Sequence, residues 1–178
     1  MDDLALAIAV ANEGAAIVRD RFGTHLTRLD KGSGDFATNA DIEAEKAMSA
    51  LLRRERPGDG ILGEESGSSG TTNASRTWLI DPLCGTLNYA VKMRVAAVNV
   101  ALSAGNKFEA AAVADPFNGE IFWTDGAGAF LRFAEVDKPL RPDGRSRLVD
   151  MNFDPPFSNG PAFTAAKLAA DSDFAAAF

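Results

Sequence analysis

Residues 77–89 read TWLIDPLCGTLNY, and the fold turns on how this stretch is read. Trp78, Leu79 and Ile80 form a short apolar run of the kind that makes a buried strand. Pro82 has no N–H to give to a ladder, so the strand is expected to stop at Asp81-Pro82 and the chain to turn there. Gly85-Thr86 then opens what looks like a helical turn. A carboxylate at a strand end beside a helix N-terminus can hold a cation and a phosphate together. Cys84 stands where such a site would want another oxygen. Three readings follow: a working metal–phosphate site, a modified one, or a turn with a threonine cap.

Upstream, Leu4, Ile8, Ala11, Ala15, Val18 and Phe22 recur at steps of three and four. That spacing predicts one face of a helix, stopped at Gly23. DKGSGDFATNAD (residues 30–41) reads as a mobile loop. A second helix is expected from Ala40 to Arg54, with Ala44, Ala47, Met48 and Leu51 on one side and Pro57, Gly58 and Gly60 ending it. Ile61-Leu62 reads as a short strand leading into a polar Gly/Ser-rich loop, GEESGSSGTTNAS.

Downstream, VAAVNVALSA (residues 95–104) and KFEAAAVADP (residues 107–116) read as a strand and its return across Gly105-Asn106. Asn118-Gly119 is the strongest hairpin signal of the chain. GEIFWT, GAFLRF and SRLVDMNF supply further strand candidates. Pro161 to Phe178 reads as a helix with Pro161 near its first position; its apolar, uncapped end, DSDFAAAF, reads as an interrupted helix, with terminal fraying as the alternative. Helices followed by antiparallel strands predict an α+β architecture of helices layered on a largely antiparallel sheet. We assign residues 1–150 to one α+β domain and 151–178 to the start of an incomplete C-terminal portion.

The chain has 178 residues, 46% of them hydrophobic and 24% charged, as in an ordinary globular protein. Its net charge of −7 argues against a general nucleic-acid binder, which needs a basic face. A small phosphorylated ligand remains open, because a bound cation reverses the local field. A single cysteine cannot form an internal disulfide, and no apolar run is long enough to cross a bilayer. The first residues carry two aspartates where a signal peptide wants positive charge. Cytoplasmic location, with neither a nucleic-acid nor a membrane partner, is the expectation.

The acids at element ends are the candidates for chemistry. Asp41 lies near the start of the second helix, Glu64 and Glu65 follow an apolar pair, and Asp81 follows a strand. A hard cation such as Mg²⁺ takes one or two carboxylates with water and substrate phosphate. If the strands before Glu64 and Asp81 lie side by side, their acids meet at one sheet edge, with the Leu83 carbonyl as a further ligand. Gly85 and Thr86 offer N–H groups to an anion, and the Thr86 hydroxyl can orient a water. Solvated loop acids and a capped turn account for the same spacing.

GEESG (Gly63–Gly67) and WLIDPLCGTLNY (Trp78–Tyr89) resemble the two N-terminal signature blocks of the inositol monophosphatase family, within the Mg²⁺-dependent, lithium-sensitive phosphatases. DFATNADIEAEKAM (Asp35–Met48) and VADPFNGEIFWTDGAGAF (Val113–Phe130) are similar to two further blocks in the same order. The resemblance implies an αβαβα layered sandwich, of which this chain carries mainly the N-terminal part, with the C-terminal part missing. It implies hydrolysis of a small phosphate monoester, inositol-phosphate-like or a related sugar or nucleotide phosphate, by water activated by two metal ions. It assigns Glu64 and Asp81 to metal through their carboxylates and Leu83 through its carbonyl. Asp41 and Thr86, with Glu64, serve catalysis; Cys84, Gly85 and Thr86 form the substrate-contacting turn. Lys31 to Asp35 corresponds to a mobile loop over the site. Homodimers are common in the family.

Two departures qualify this. The family usually has aspartate, a metal ligand, at position 84. A neutral thiol there weakens Mg²⁺ at one position, or recruits a softer ion such as Zn²⁺, or makes Cys84 itself a nucleophile; Mn²⁺ is a further possible cofactor. The family's Trp-Asp-x-x-Ala-Gly block is not found in this sequence. A non-catalytic relative that binds a phosphorylated metabolite or a partner protein is the alternative function. The only histidine, His25, reads as a surface residue.

Overall fold

The computed structural model describes residues 1–32, 35–141, 143–145 and 172. The chain divides into two compact units, Met1–Leu29 with Ala37–Leu140, and Asp30–Phe36 with Arg141–Phe178. In the smaller unit, Asp30 Oδ1 accepts the Gly32 N–H at 2.8 Å, and Arg145 pairs with Asp143 at 2.7 Å. The strand expected at SRLVDMNF and the helix expected over residues 161–178 lie outside the described residues.

The larger unit carries the helix layer. Helix α1 (Asp3–Arg21) starts at Asp2, whose carboxylate accepts the Ala5 N–H at 2.7 Å, and it stops just before Gly23 as expected. Its buried face runs through Leu6, Val10, Ala11, Ala15 and Val18. Helix α2 (Asn39–Glu55) is capped by Thr38 in a reciprocal box with Asp41, and buries Ala44, Met48 and Leu52. The chain before it is not a plain loop. Strands β1 (Arg28–Gly32) and β2 (Asp35–Thr38) form a two-stranded sheet, and residues 33–34 lie outside the described set. Backbone pairing there needs no apolar side chains, so the polar sequence concealed it.

The main sheet comprises β3 (Gly60–Gly63), β4 (Gly67–Gly70), β5 (Arg76–Cys84), β6 (Ala97–Ala104), β7 (Lys107–Ala114), β8 (Ile121–Thr124), β9 (Ala129–Phe133) and β10 (Val136–Pro139), in the order β10-β9-β8-β7-β6-β5-β3-β4. Every neighbouring pair is antiparallel except β3 and β5. The α+β expectation therefore holds. Two elements differ from it: β4 lies within the predicted Gly/Ser loop, and β10 occupies an unassigned polar stretch. Both are edge strands, where exposed polar residues are the rule. The Asn118-Gly119 connection is also longer than a two-residue hairpin. It spans Asp115 to Glu120, because Asp115 Oδ1 accepts the N–H groups of Phe117 and Asn118 at 2.7 and 2.9 Å.

Alternation decides what faces the helices. Ile61, Trp78, Ile80, Val98, Val100, Leu102, Ala110, Ala112 and Ala114 are buried in one core with α1 and α2. Leu62, Leu79, Asn99, Ala101 and Val113 fall on the opposite phase of the same strands. They line a groove of about 490 Å³ together with Glu64 and Asp81.

Candidate active site

β3 and β5 run parallel in adjacent positions, with Gly63 opposite Ile80. The Glu64 N–H donates to the Ile80 carbonyl at 3.2 Å. Glu64 and Asp81 therefore leave two neighbouring strands at the same end, and both line the groove. Asp81 is held in orientation. Its Oδ1 accepts the Leu83 N–H at 3.1 Å, and its Oδ2 accepts from Asn99 Nδ2 at 3.0 Å across the ladder to β6.

The expected stop at Pro82 does not occur. After Asp81 pairs with Asn99, the next pair is Cys84 with Ala97, so β5 continues through a bulge. A bulge tolerates a residue without an N–H, and both Pro82 and Leu83 are buried in it. The turn comes at Gly85, the N-cap of α3 (Thr86–Ala90), where φ is 95°. A Cβ there would meet the Val95 carbonyl oxygen at 2.8 Å, so glycine is required on two grounds.

The Thr86 hydroxyl lies 3.1 Å from Asp41 Oδ1 and 3.0 Å from the Leu83 carbonyl oxygen. It has one proton, which it donates to one of them at a time. The other Asp41 oxygen accepts the Thr38 hydroxyl at 2.6 Å and the Thr38 N–H at 2.8 Å. Asp41 is 1% exposed. Burial pushes its carboxyl above the usual aspartate value, against hydrogen bonds from Thr38 and Thr86 that favour the anion. Tyr89, at the end of this turn, donates its hydroxyl to the Val18 carbonyl at 2.7 Å, which anchors α3 to α1. Burial, with the Asp41 charge adding to it, pushes the Tyr89 phenol up to about 12.

Cys84 presents an exposed, free thiol. Partial burial of the sulfur, then the Asp81 carboxylate beside it, push the thiol up from its ordinary value, so it is neutral at pH 7. His25 is exposed, as expected.

Among the described residues no group of three or more His, Cys, Asp or Glu side chains is gathered closely enough to hold a metal ion. The donors at the strand ends are the Glu64 and Asp81 carboxylates and the Leu83 carbonyl, all hard oxygens. That set suits one magnesium-like cation, which keeps several waters and takes one or two carboxylates.

The inositol monophosphatase family profile matches residues 2–154. The chain belongs to the inositol monophosphatase family. It is 40% identical to an inositol-1-monophosphatase of Caulobacter vibrioides over 145 residues, covering 79% of this chain and 56% of that protein. It is 39% identical to a histidinol-phosphatase of Mycobacterium tuberculosis, covering 76% and 52%. The crystal structure of extragenic suppressor protein suhB from Bartonella henselae superposes with a TM-score of 0.74 at 30% identity, covering 83% of this chain and 57% of that one. The chain spans about half the length of the curated relatives it matches. Relatives also include proteins named Nus factor SuhB, so the expected absence of a nucleic-acid partner is not carried further. Among the described residues no helix is long and apolar enough to cross a membrane.

Two residues at this candidate site carry no role in the sequence analysis. Asn99 was counted only as part of an apolar strand, although its odd-numbered phase beside Asp81 on the neighbouring strand was a usable signal. Glu45 is not among the residues that the sequence analysis singles out on the second helix, yet it is buried and four residues after Asp41, on the same helix face.

Proposed function

We propose that the chain is the helix-and-sheet part of a metal-dependent phosphomonoesterase acting on a small phosphorylated metabolite. The reading takes residues 1–150 as its phosphatase-like domain. The observation that carries it is the pair of acids, Glu64 and Asp81, at the same end of adjacent parallel strands, beside the Thr86–Asp41 hydrogen bond. Glu64, Asp81 and the Leu83 carbonyl hold the cation. When bound, it would lower the pKa of water and draw off charge from the phosphoryl group. Thr86 accepts a proton from the attacking water as it passes its own to Asp41. The raised carboxyl of Asp41 suits it to receive one. Cys84, Gly85 and Thr86 face the phosphate. A second cation, as in two-metal hydrolysis, has Cys84 where an oxygen donor is wanted, so the site is weakened there.

That neutral thiol favours a second reading, a relative that binds the phosphorylated metabolite without turning it over. One experiment separates them: calorimetric Mg²⁺ titration of wild type and Cys84→Asp, with phosphate release from a panel of monoesters followed on the same samples. We expect Cys84→Asp to tighten Mg²⁺ by roughly tenfold, about 1.4 kcal/mol, and to raise lithium-sensitive phosphate release. Thermal stabilisation by the monoester without release in either protein selects the binding reading. An unchanged or weaker isotherm for Cys84→Asp removes position 84 from the ligand set.

A further inference from the structure

Helix α2 and its cap bury four polar side chains, Thr38, Asp41, Glu45 and Ser49. The last three recur every fourth residue and so form one stripe along the helix. Asp41 is tied to Thr86. Glu45, one turn further on and 3% exposed, is tied to the other acidic segment. Its Oε2 accepts the Glu65 N–H at 2.7 Å, and its Oε1 accepts the Ser66 N–H at 2.8 Å. From the strand side, a Cβ on Gly63 would lie 2.6 Å from the Glu45 carboxyl carbon, so glycine is what lets the carboxylate sit against the end of β3. Glu64 is the residue between these two points of contact.

We propose that Glu45 is a positioning residue that fixes the backbone of Glu64, and so aims its carboxylate beside Asp81 for cation binding. A buried carboxylate accepting two N–H groups is a stiff, charge-assisted clamp. The rise of an α-helix sets the two clamps, Asp41 and Glu45, about 6 Å apart along one rigid element. Helix α2 thereby sets the spacing between the water-activating turn at Thr86 and the ligand turn at Glu64. This rests on the proposed function, because it takes Glu64 as a ligand. Hydrogen-bonded supports of ligating groups typically alter metal affinity by about 10–100-fold when removed.

The test is Mn²⁺ binding to the 178-residue chain, read from the electron paramagnetic resonance signal of free Mn²⁺, at a temperature where circular dichroism shows each protein folded. Glu45→Gln keeps the shape but offers an N–H₂ to one of the two donors. Gly63→Ala pushes a methyl into the same carboxylate from the other side. Leu52→Ala, two turns along α2 and buried in the core, destabilises the helix without touching the clamp's hydrogen bonds. We expect the Mn²⁺ Kd to rise about tenfold or more in the first two variants, and to stay within about twofold of wild type in the third. A wild-type Kd in Glu45→Gln, or an equal loss in Leu52→Ala, overturns the proposal. If Glu45→Gln does not fold, Gly63→Ala decides by the same criterion. A wild-type chain that takes up no Mn²⁺ overturns the proposed function and this inference with it; tight binding by wild type and both clamp variants overturns this inference alone.

Discussion

At the Arg76 end of β5, Asp3 and Asp59 face guanidinium groups; at the Cys84 end, Asp81 and Asp41 accept from N–H and O–H groups. Asp3 lies 2.9 Å from Arg56 and 3.0 Å from Arg76, and Arg76 lies 3.3 Å from Asp59, which also accepts the Trp78 indole N–H at 2.9 Å. Five residues after Arg76, Asp81 is held by the Leu83 N–H and the Asn99 amide, and nearby Asp41 by Thr38 and Thr86. The two ends act on their acids in opposite senses. Arg76, followed by Arg56, holds the Asp3 carboxyl below its ordinary value, whereas burial holds Asp41 above it. The first arrangement satisfies its charges within the fold. The second orients Asp81 and Asp41 with neutral donors, which suits the proposed roles of one as cation ligand and the other as proton acceptor.

The sharpest way to break this contrast is to remove charge at the Cys84 end. Asp81→Asn keeps the shape; its oxygen can accept the Leu83 N–H while its N–H₂ donates to the Asn99 amide oxygen after that amide flips, so the fold should lose little stability without metal. Mg²⁺ affinity should fall by roughly 100-fold, as expected when a ligand and its charge are both lost. Calorimetry and thermal melts on the same samples check both halves. A large loss of metal-free stability would show that Asp81 is structural, like Asp59.

The converse change is at the other end. Arg76→Met removes the charge between Asp3 and Asp59 and should cost stability without altering Mg²⁺ affinity. The Arg76 guanidinium is close to both acids but poorly aligned, since its Nε and one terminal nitrogen are buried without a well-directed hydrogen bond. That lowers the expected loss from the several kcal/mol of a fully buried pair to about 1–2 kcal/mol. Urea unfolding gives the number. A change in Mg²⁺ affinity would mean that the two ends of β5 are coupled through the strand.

These ends were unequally legible in the sequence. The site end was readable because its signals are local. An apolar run, Asp-Pro and Gly-Thr lie within a dozen residues; the parallel pairing of β3 with β5 was not legible, because two short apolar runs that each lead to an acid leave their pairing and its direction open. The arginine end was not, because Asp3, Arg56, Asp59 and Arg76 are far apart in the chain and each alone looks like a solvated charge. Glu45 was hidden for the same reason: its partners are backbone amides some twenty residues later, which carry no side-chain signature. The bulge at Pro82 was misread because proline predicts the loss of one ladder bond, not whether the strand recovers beyond it. Strands β4 and β10 were missed because an edge strand is held by its backbone, and its polar side chains satisfy the surface rather than the core.

The smallest effect belongs to Asp3, and its sign separates the two ends most cleanly. Its carboxyl has a lower pKa folded than the unfolded value of 3.8, so the native state binds fewer protons. Its contribution is therefore complete above that unfolded value and is lost as the pH falls through the folded one. Asp41 has the reverse sign. Its raised pKa means that its contribution is present below the unfolded value and is lost as the pH rises through the folded one. Asp3→Asn should lower stability at pH 7 by at most about 1 kcal/mol, because the pairs are partly exposed and screened. The gap from wild type should close as the pH is taken below the unfolded value, which thermal melts across an acid series would follow. A gap that stays constant with pH would mean that Asp3 acts through packing at the start of α1 rather than through its charge. The opposition between the arginine-matched end and the cation-ready end would then rest on Arg76 and Asp59 alone.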